Sequence, residues 1–98
     1  MKTIYHFDHM NDEQTPIDTK YEFLAWNRGQ LGEEEPITEA EALIFRAKDN
    51  ALLPTLQFYY NECARLGCKI EHLQGVVQLI RRVEKWREQN PERCKVPD

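Results

Sequence analysis

The stretch Leu53–Gln89, LPTLQFYYNECARLGCKIEHLQGVVQLIRRVEKWREQ, decides the fold. Leu53, Leu56, Tyr59 or Tyr60, Cys63 and Leu66 recur at spacings of three and four, the period of one helix face. Pro54 suits the first turn of that helix, where its missing N–H costs nothing. Gly67 is a natural left-handed terminator. A second helix then runs from about Ile70 to Gln89, with Leu73, Val76, Val77, Ile80 and Val83 on one stripe. Arg81, Arg82, Lys85, Arg87 and Glu88 fall on the other side, and Asn90-Pro91 stops the helix. Gly75 inside it costs about 1 kcal/mol against Ala, which predicts a close helix approach at that point. The stretch therefore reads as an αα-hairpin.

Working towards the N-terminus, Thr38-Glu39-Ala40-Glu41 has the form of a capping box, with acidic residues where the helix dipole favours them. It predicts a helix over 39–49 that buries Ala40, Leu43, Ile44 and Ala47 and ends at Asn50. Thr19-Lys20-Tyr21-Glu22 is a second capping box. It predicts a short helix carrying Tyr21, Leu24 and Ala25 to a stop at Gly29; a strand over 20–26, paired with residues 2–8, competes with it. Residues 29–36 form an acidic linker punctuated by Gly29, Gly32 and Pro36. Residues 2–8 are β-branched and aromatic and suit an extended segment, and residues 9–18 read as a loop. The expected fold is mainly α: a small bundle of about four helices with an extended N-terminal segment and a C-terminal αα-hairpin. It forms one domain over 1–98, with an extended or loop segment at 1–18, a helical core at 19–90 and a flexible tail at 91–98.

Composition bounds the function. With 98 residues, 41% hydrophobic and 31% charged, the chain can build one modest core. The net charge of −4 is unevenly spread: residues 1–50 hold five Lys/Arg against eleven Asp/Glu, residues 51–98 eight against six. Three cysteines, Cys63, Cys68 and Cys94, do not make a disulfide framework. No apolar leader follows Met1 and no run approaches a membrane span, so the expected location is the cytoplasm, with reduced thiols and no membrane partner.

Side chains able to do chemistry are few. Cys63, Cys68 and His72 lie five and four apart, with His6, His9 and Cys94 elsewhere. Zinc sites usually declare themselves by cysteines two residues apart or by paired histidines; neither pattern occurs, so no metal or other cofactor is expected, and Cys63 on the apolar stripe reads as a small hydrophobe. Cys68 near a helix N-terminus, with His72 one turn on, is the pattern of an activated thiol, but no third group orients it. Glu33, Glu34, Glu35, Glu39 and Glu41 read as a solvated acidic edge whose carboxylates are not tuned for proton transfer. Gly29, Gly32, Gly67 and Gly75 form no phosphate-cradling loop. The chain is not expected to be an enzyme.

Residues 63–77 resemble a helix-turn-helix pattern, with Cys63 four before the turn glycine Gly67 and apolar residues at Leu66, Cys68, Leu73 and Val76. A DNA-binding regulator is the alternative function this implies, with Lys69, His72, Gln74, Arg81 and Arg82 facing nucleic acid. The low isoelectric point, about 5.4, speaks against it, because duplex affinity comes largely from Lys and Arg. The preferred function is non-enzymatic: a macromolecule-binding protein of inhibitor or adaptor type, working on a protein or nucleoprotein partner and forming a homodimer. Small acidic helical chains of this kind are encoded by phages against host machinery, anti-CRISPR proteins among them. Trp26, Tyr59, Tyr60 and Trp86 are the expected anchors, since aromatics dominate binding hot spots. Arg81, Arg82 and Lys85 form a basic rim, and Glu33, Glu34 and Glu35 an acidic one able to enter a basic groove.

Overall fold

In the computed structural model, which describes residues 15–97, two helices take up most of the second half: α1, Leu52–Arg65, and α2, Ile70–Gln89. The first half holds one small antiparallel sheet, β1 (Leu24–Ala25) beside β2 (Ile37–Thr38), in the register Leu24↔Thr38 and Ala25↔Ile37. A single turn of 3-10 helix, Pro91–Arg93, follows α2. The chain divides into two compact units, 1–44 and 45–98. The reading of residues 2–8 as an extended segment, and His6 and His9, lie outside the described residues. Among those described, no helix is long and apolar enough to cross a membrane.

The expectation of about four helices is wrong. The helices predicted at 19–28 and 39–49 do not form, and one carboxylate explains both failures. Asp18 is 7% exposed. Its Oδ1 accepts from the backbone N–H of Lys20 (2.8 Å) and Tyr21 (2.9 Å), and its Oδ2 from that of Ile44 (2.8 Å). The first two bonds are the local turn that a short acidic side chain offers in place of helix. The third takes the Ile44 amide, which a helix would have aimed at the Ala40 carbonyl. The Thr38 box does start a turn: Glu41 and Ala42 donate to the Thr38 carbonyl, and Ala40 to its hydroxyl. It stops there, with the Ile44 amide committed to Asp18. Glu39, read as a first-turn residue, instead accepts from the Phe23 amide through Oε1 at 3.0 Å, beside β1.

These bonds set the ionisation of both acids. The Ile44 N–H, and then those of Tyr21 and Lys20, hold the Asp18 carboxyl below the usual carboxylate range against the opposing cost of burial. The Phe23 N–H does the same for Glu39.

In the second unit the apolar stripes meet. Leu52 and Cys63 of α1 and Val76 and Val83 of α2 are buried, and each Leu or Val so placed contributes roughly 1.5–3 kcal/mol. α1 and α2 pack against each other. At one end the corner 66–69 joins them; at the other the Arg87 guanidinium donates to the carbonyls of Ala47 (3.0 Å) and Asp49 (3.1 Å) and to Asn50 Oδ1 (2.6 Å), just ahead of α1. Arg87, read as part of an outward charged face, is thus an internal clamp. Residues 91–97, expected as a flexible tail, hold the 3-10 turn and a parallel bridge: Asn50 N–H donates to the Lys95 carbonyl and Lys95 N–H to that of Lys48, both at 2.9 Å.

Two glycines test the hairpin in opposite directions. Gly67 has φ +80°, and a Cβ there would meet nothing within 4 Å. Gly67→Ala therefore has only the backbone penalty to overcome and should cost about 1 kcal/mol. Gly75 also has open space around its missing Cβ, so the close helix approach expected there does not occur. Gly75→Ala should stabilise α2 by about 1 kcal/mol. Thermal unfolding followed by circular dichroism checks both: the midpoint falls for the first and rises for the second.

Candidate functional site

The hairpin corner is where reactive side chains gather, and backbone capping is what gathers them. Leu66 is the C-cap of α1 and Gly67 the left-handed residue after it. Gly67 N–H donates to the Ala64 carbonyl at 3.1 Å, and Cys68 N–H to the Cys63 carbonyl at 3.0 Å. This pair of bonds is a Schellman motif, which turns the residue two beyond the cap back against the last helical turn. Here those residues are Cys68 and Cys63. Lys69 then caps α2 in an extended conformation, and His72 falls in the first turn of that helix, its amide bonded to the Lys69 carbonyl.

One ligand atom from each of Cys63, Cys68 and His72 lies within 4.8 Å of the other two; Cys63 is buried, Cys68 half-buried and His72 exposed. Tyr59, one turn before Cys63, puts its hydroxyl 3.3 Å from His72 Nε2, with the rings edge to face at 6.1 Å. A hydrogen bond with the Cys63 side chain pushes the Tyr59 phenol up from its ordinary pKa. Burial, reinforced by Cys63, pushes the Cys68 thiol up as well. The sequence suggested the opposite for Cys68, a thiol activated by the helix dipole. Burial outweighs the dipole at this position.

The other residues singled out from the sequence fall into separate groups. Trp26 is half-buried, and its indole N–H donates to the Glu34 carbonyl at 2.6 Å, so Trp26 and the exposed Glu33, Glu34 and Glu35 share one loop of the first unit. Tyr60 is half-buried and lines a shallow groove of about 170 Å3 with Gln57, Val77, Ile80, Arg81 and Glu84. Arg81, Arg82 and Lys85 are exposed along α2. Trp86 is half-buried beneath the Arg93 guanidinium, 5.1 Å from its ring. Lys69 and Gln74 are exposed near the start of α2. The residues that the helix-turn-helix reading sets against nucleic acid, Lys69, His72, Gln74, Arg81 and Arg82, are all exposed.

Sequence reasoning missed Asp18 and Arg87. Each has decisive partners that are remote in sequence, Ile44 for Asp18, beside its local bonds, and Ala47 to Asn50 for Arg87. Leu66, placed on the apolar stripe of the first helix, is 69% exposed; Phe58 is 67%, Ile70 59% and Tyr59 48% exposed. Comparison with protein families, with curated proteins and with solved structures gives no match to this chain.

Proposed function

We propose that the chain is a binding protein of inhibitor or adaptor type, that it makes and breaks no covalent bond of its own, and that it works as a homodimer through its helical hairpin. The observation that carries this is the outward display of Phe58, Tyr59, Leu66 and Ile70 on a hairpin whose buried core, Leu52, Cys63, Val76 and Val83, is complete without them. Monomeric surfaces rarely expose so many large apolar side chains on so short an element. A two-fold pair of hairpins would cover them with their own counterparts. The exposed Arg81, Arg82 and Lys85 on α2 then serve as the charged rim for a macromolecular partner. The solvent-facing Glu33–Glu35 run supports a role without catalysis.

Light scattering on the purified chain should give twice the 11.7 kDa mass of one copy, and Phe58→Asp with Leu66→Asp should return it to a single copy with helicity unchanged. A wild-type mass of one copy at about 100 µM, where even a weak dimer with micromolar Kd is formed, removes the dimer. For the partner, proteins retained on immobilised wild type should be lost on the triple variant Arg81→Glu, Arg82→Glu, Lys85→Glu. Equal retention by both removes the basic rim.

A further inference from the structure

We infer that the hairpin corner is a metal site: the Cys63 and Cys68 side chains and the His72 imidazole bind one zinc-class divalent ion that staples the end of α1 to the start of α2. A Schellman corner brings its two flanking side chains together in any helix pair, and with aliphatic residues that contact is merely apolar. Three features here exceed it. Both side chains carry sulfur. The next helix starts immediately, so His72 in its first turn adds a ring nitrogen to the same point, the three ligand atoms lying within 4.8 Å of one another. A fourth polar group, the Tyr59 hydroxyl, lies 3.3 Å from His72 Nε2.

Two sulfurs and an imidazole suit a borderline-soft ion rather than magnesium or calcium. Bond lengths near 2.3 Å to sulfur and 2.0 Å to nitrogen set the edges of such a site at about 3.5–3.8 Å, so the cluster has to contract by about 1 Å, within the reach of side-chain rotation. On binding, each thiol gives its proton to the solvent and the ion takes the sulfur lone pairs; no oxidant or reductant is involved. With the ion on His72 Nδ1, the Tyr59 hydroxyl at Nε2 supports the imidazole as a hydrogen-bond partner, the role commonly filled by a neighbour of a ligating histidine. Sequence spacing hid the site because five and four residues are not a recognised zinc interval; the interval works only through the reversal at Gly67.

The test is a titration of the full-length chain, reduced and without oxygen, with Co(II) as an optical probe and Zn(II) as its competitor. Expected are one Co(II) per chain, a thiolate-to-cobalt charge-transfer band, displacement by Zn(II), and a thermal midpoint raised by several degrees when zinc is in excess. Cys68→Ser and His72→Ala, at the two more accessible positions, should each weaken binding by on the order of 100-fold, and Tyr59→Phe by about tenfold, with far-UV circular dichroism unchanged. Cys94→Ser should bind as wild type, since the Cys94 thiol is engaged with the Arg87 and Asn90 carbonyls instead. Absence of the charge-transfer band in wild type, or wild-type affinity in folded Cys68→Ser or His72→Ala, overturns the site.

Discussion

Replacing Asp18 with Ala is expected to dissolve the hydrogen-bonded framework of residues 15–44. Among the described residues of that unit Asp18 is the one buried group; Ile17, Leu24, Leu31, Ile37, Leu43 and Ile44 are all exposed. Order there rests on backbone amides converging on carboxylates, not on a packed apolar layer. Removing the Asp18 carboxylate strands the N–H groups of Lys20, Tyr21 and Ile44 at once. A buried donor without a partner is costly out of proportion to the bond it lost. Hydrogen exchange at those three amides should accelerate by at least about tenfold each. Asp18→Asn separates the contributions, because its amide keeps an oxygen for the Lys20 and Tyr21 bonds but turns a donor towards Ile44; only the Ile44 amide should then lose protection. Unchanged exchange at Ile44 in both variants would refute the account.

Acid should reproduce the same loss in the unmodified chain. Asp18 and Glu39 are both held below the ordinary carboxylate range by the amides they accept from, Ile44 first for Asp18 and Phe23 first for Glu39. A depressed carboxyl stabilises the fold fully above its unfolded pKa and ceases to do so as pH falls through the folded value. Protection at Ile44 and Phe23 should therefore hold at neutral pH, begin to weaken as pH falls through the ordinary carboxylate range, and be lost only below it.

Val76→Asp is the second change with a large expected effect, and it acts on the hairpin. Val76 is 5% exposed, between the helices. A carboxylate introduced there has no cation to pair with, and an uncompensated buried charge costs on the order of 3–5 kcal/mol. A structure of this size has about 5 kcal/mol of stability in all, so the variant should lose its helical circular dichroism at 25 °C. Val76→Ala deletes two carbon groups at about 0.8 kcal/mol each and should only lower the unfolding midpoint. Native helicity in Val76→Asp would mean that α1 and α2 hold together by something other than this stripe.

The two halves of the chain differed in how openly they declared themselves, for a physical reason. Leu56, Cys63, Val76 and Val83 repeat at helical spacing because α1 and α2 bury one continuous face, and periodicity is the trace of continuous burial. Gly67 and Asn90 marked the ends of those helices through local capping. The first half has no such face. Its capping boxes at Thr19 and Thr38 were real local preferences, yet a helix of ten residues is marginal without packing. There Asp18 and Glu39 drew the amides into long-range bonds that leave no periodic trace. The corner site was half legible: Cys63, Cys68 and His72 were visible as ligand types, while their meeting depended on the chain reversing at a left-handed glycine. Trp86 and Trp26 looked like free anchors only because nothing in the sequence assigned Arg93 to the one ring or the Glu34 carbonyl to the other.

The bridge between residues 48–50 and Lys95 has a mechanical consequence. The two segments run parallel, and the chain enters the unit along one and leaves along the other. Traction on the two ends would drag these segments in opposite directions along their length. Both hydrogen bonds would then carry the load in shear and have to rupture together, instead of peeling apart one by one, before any tension reached the helices behind them.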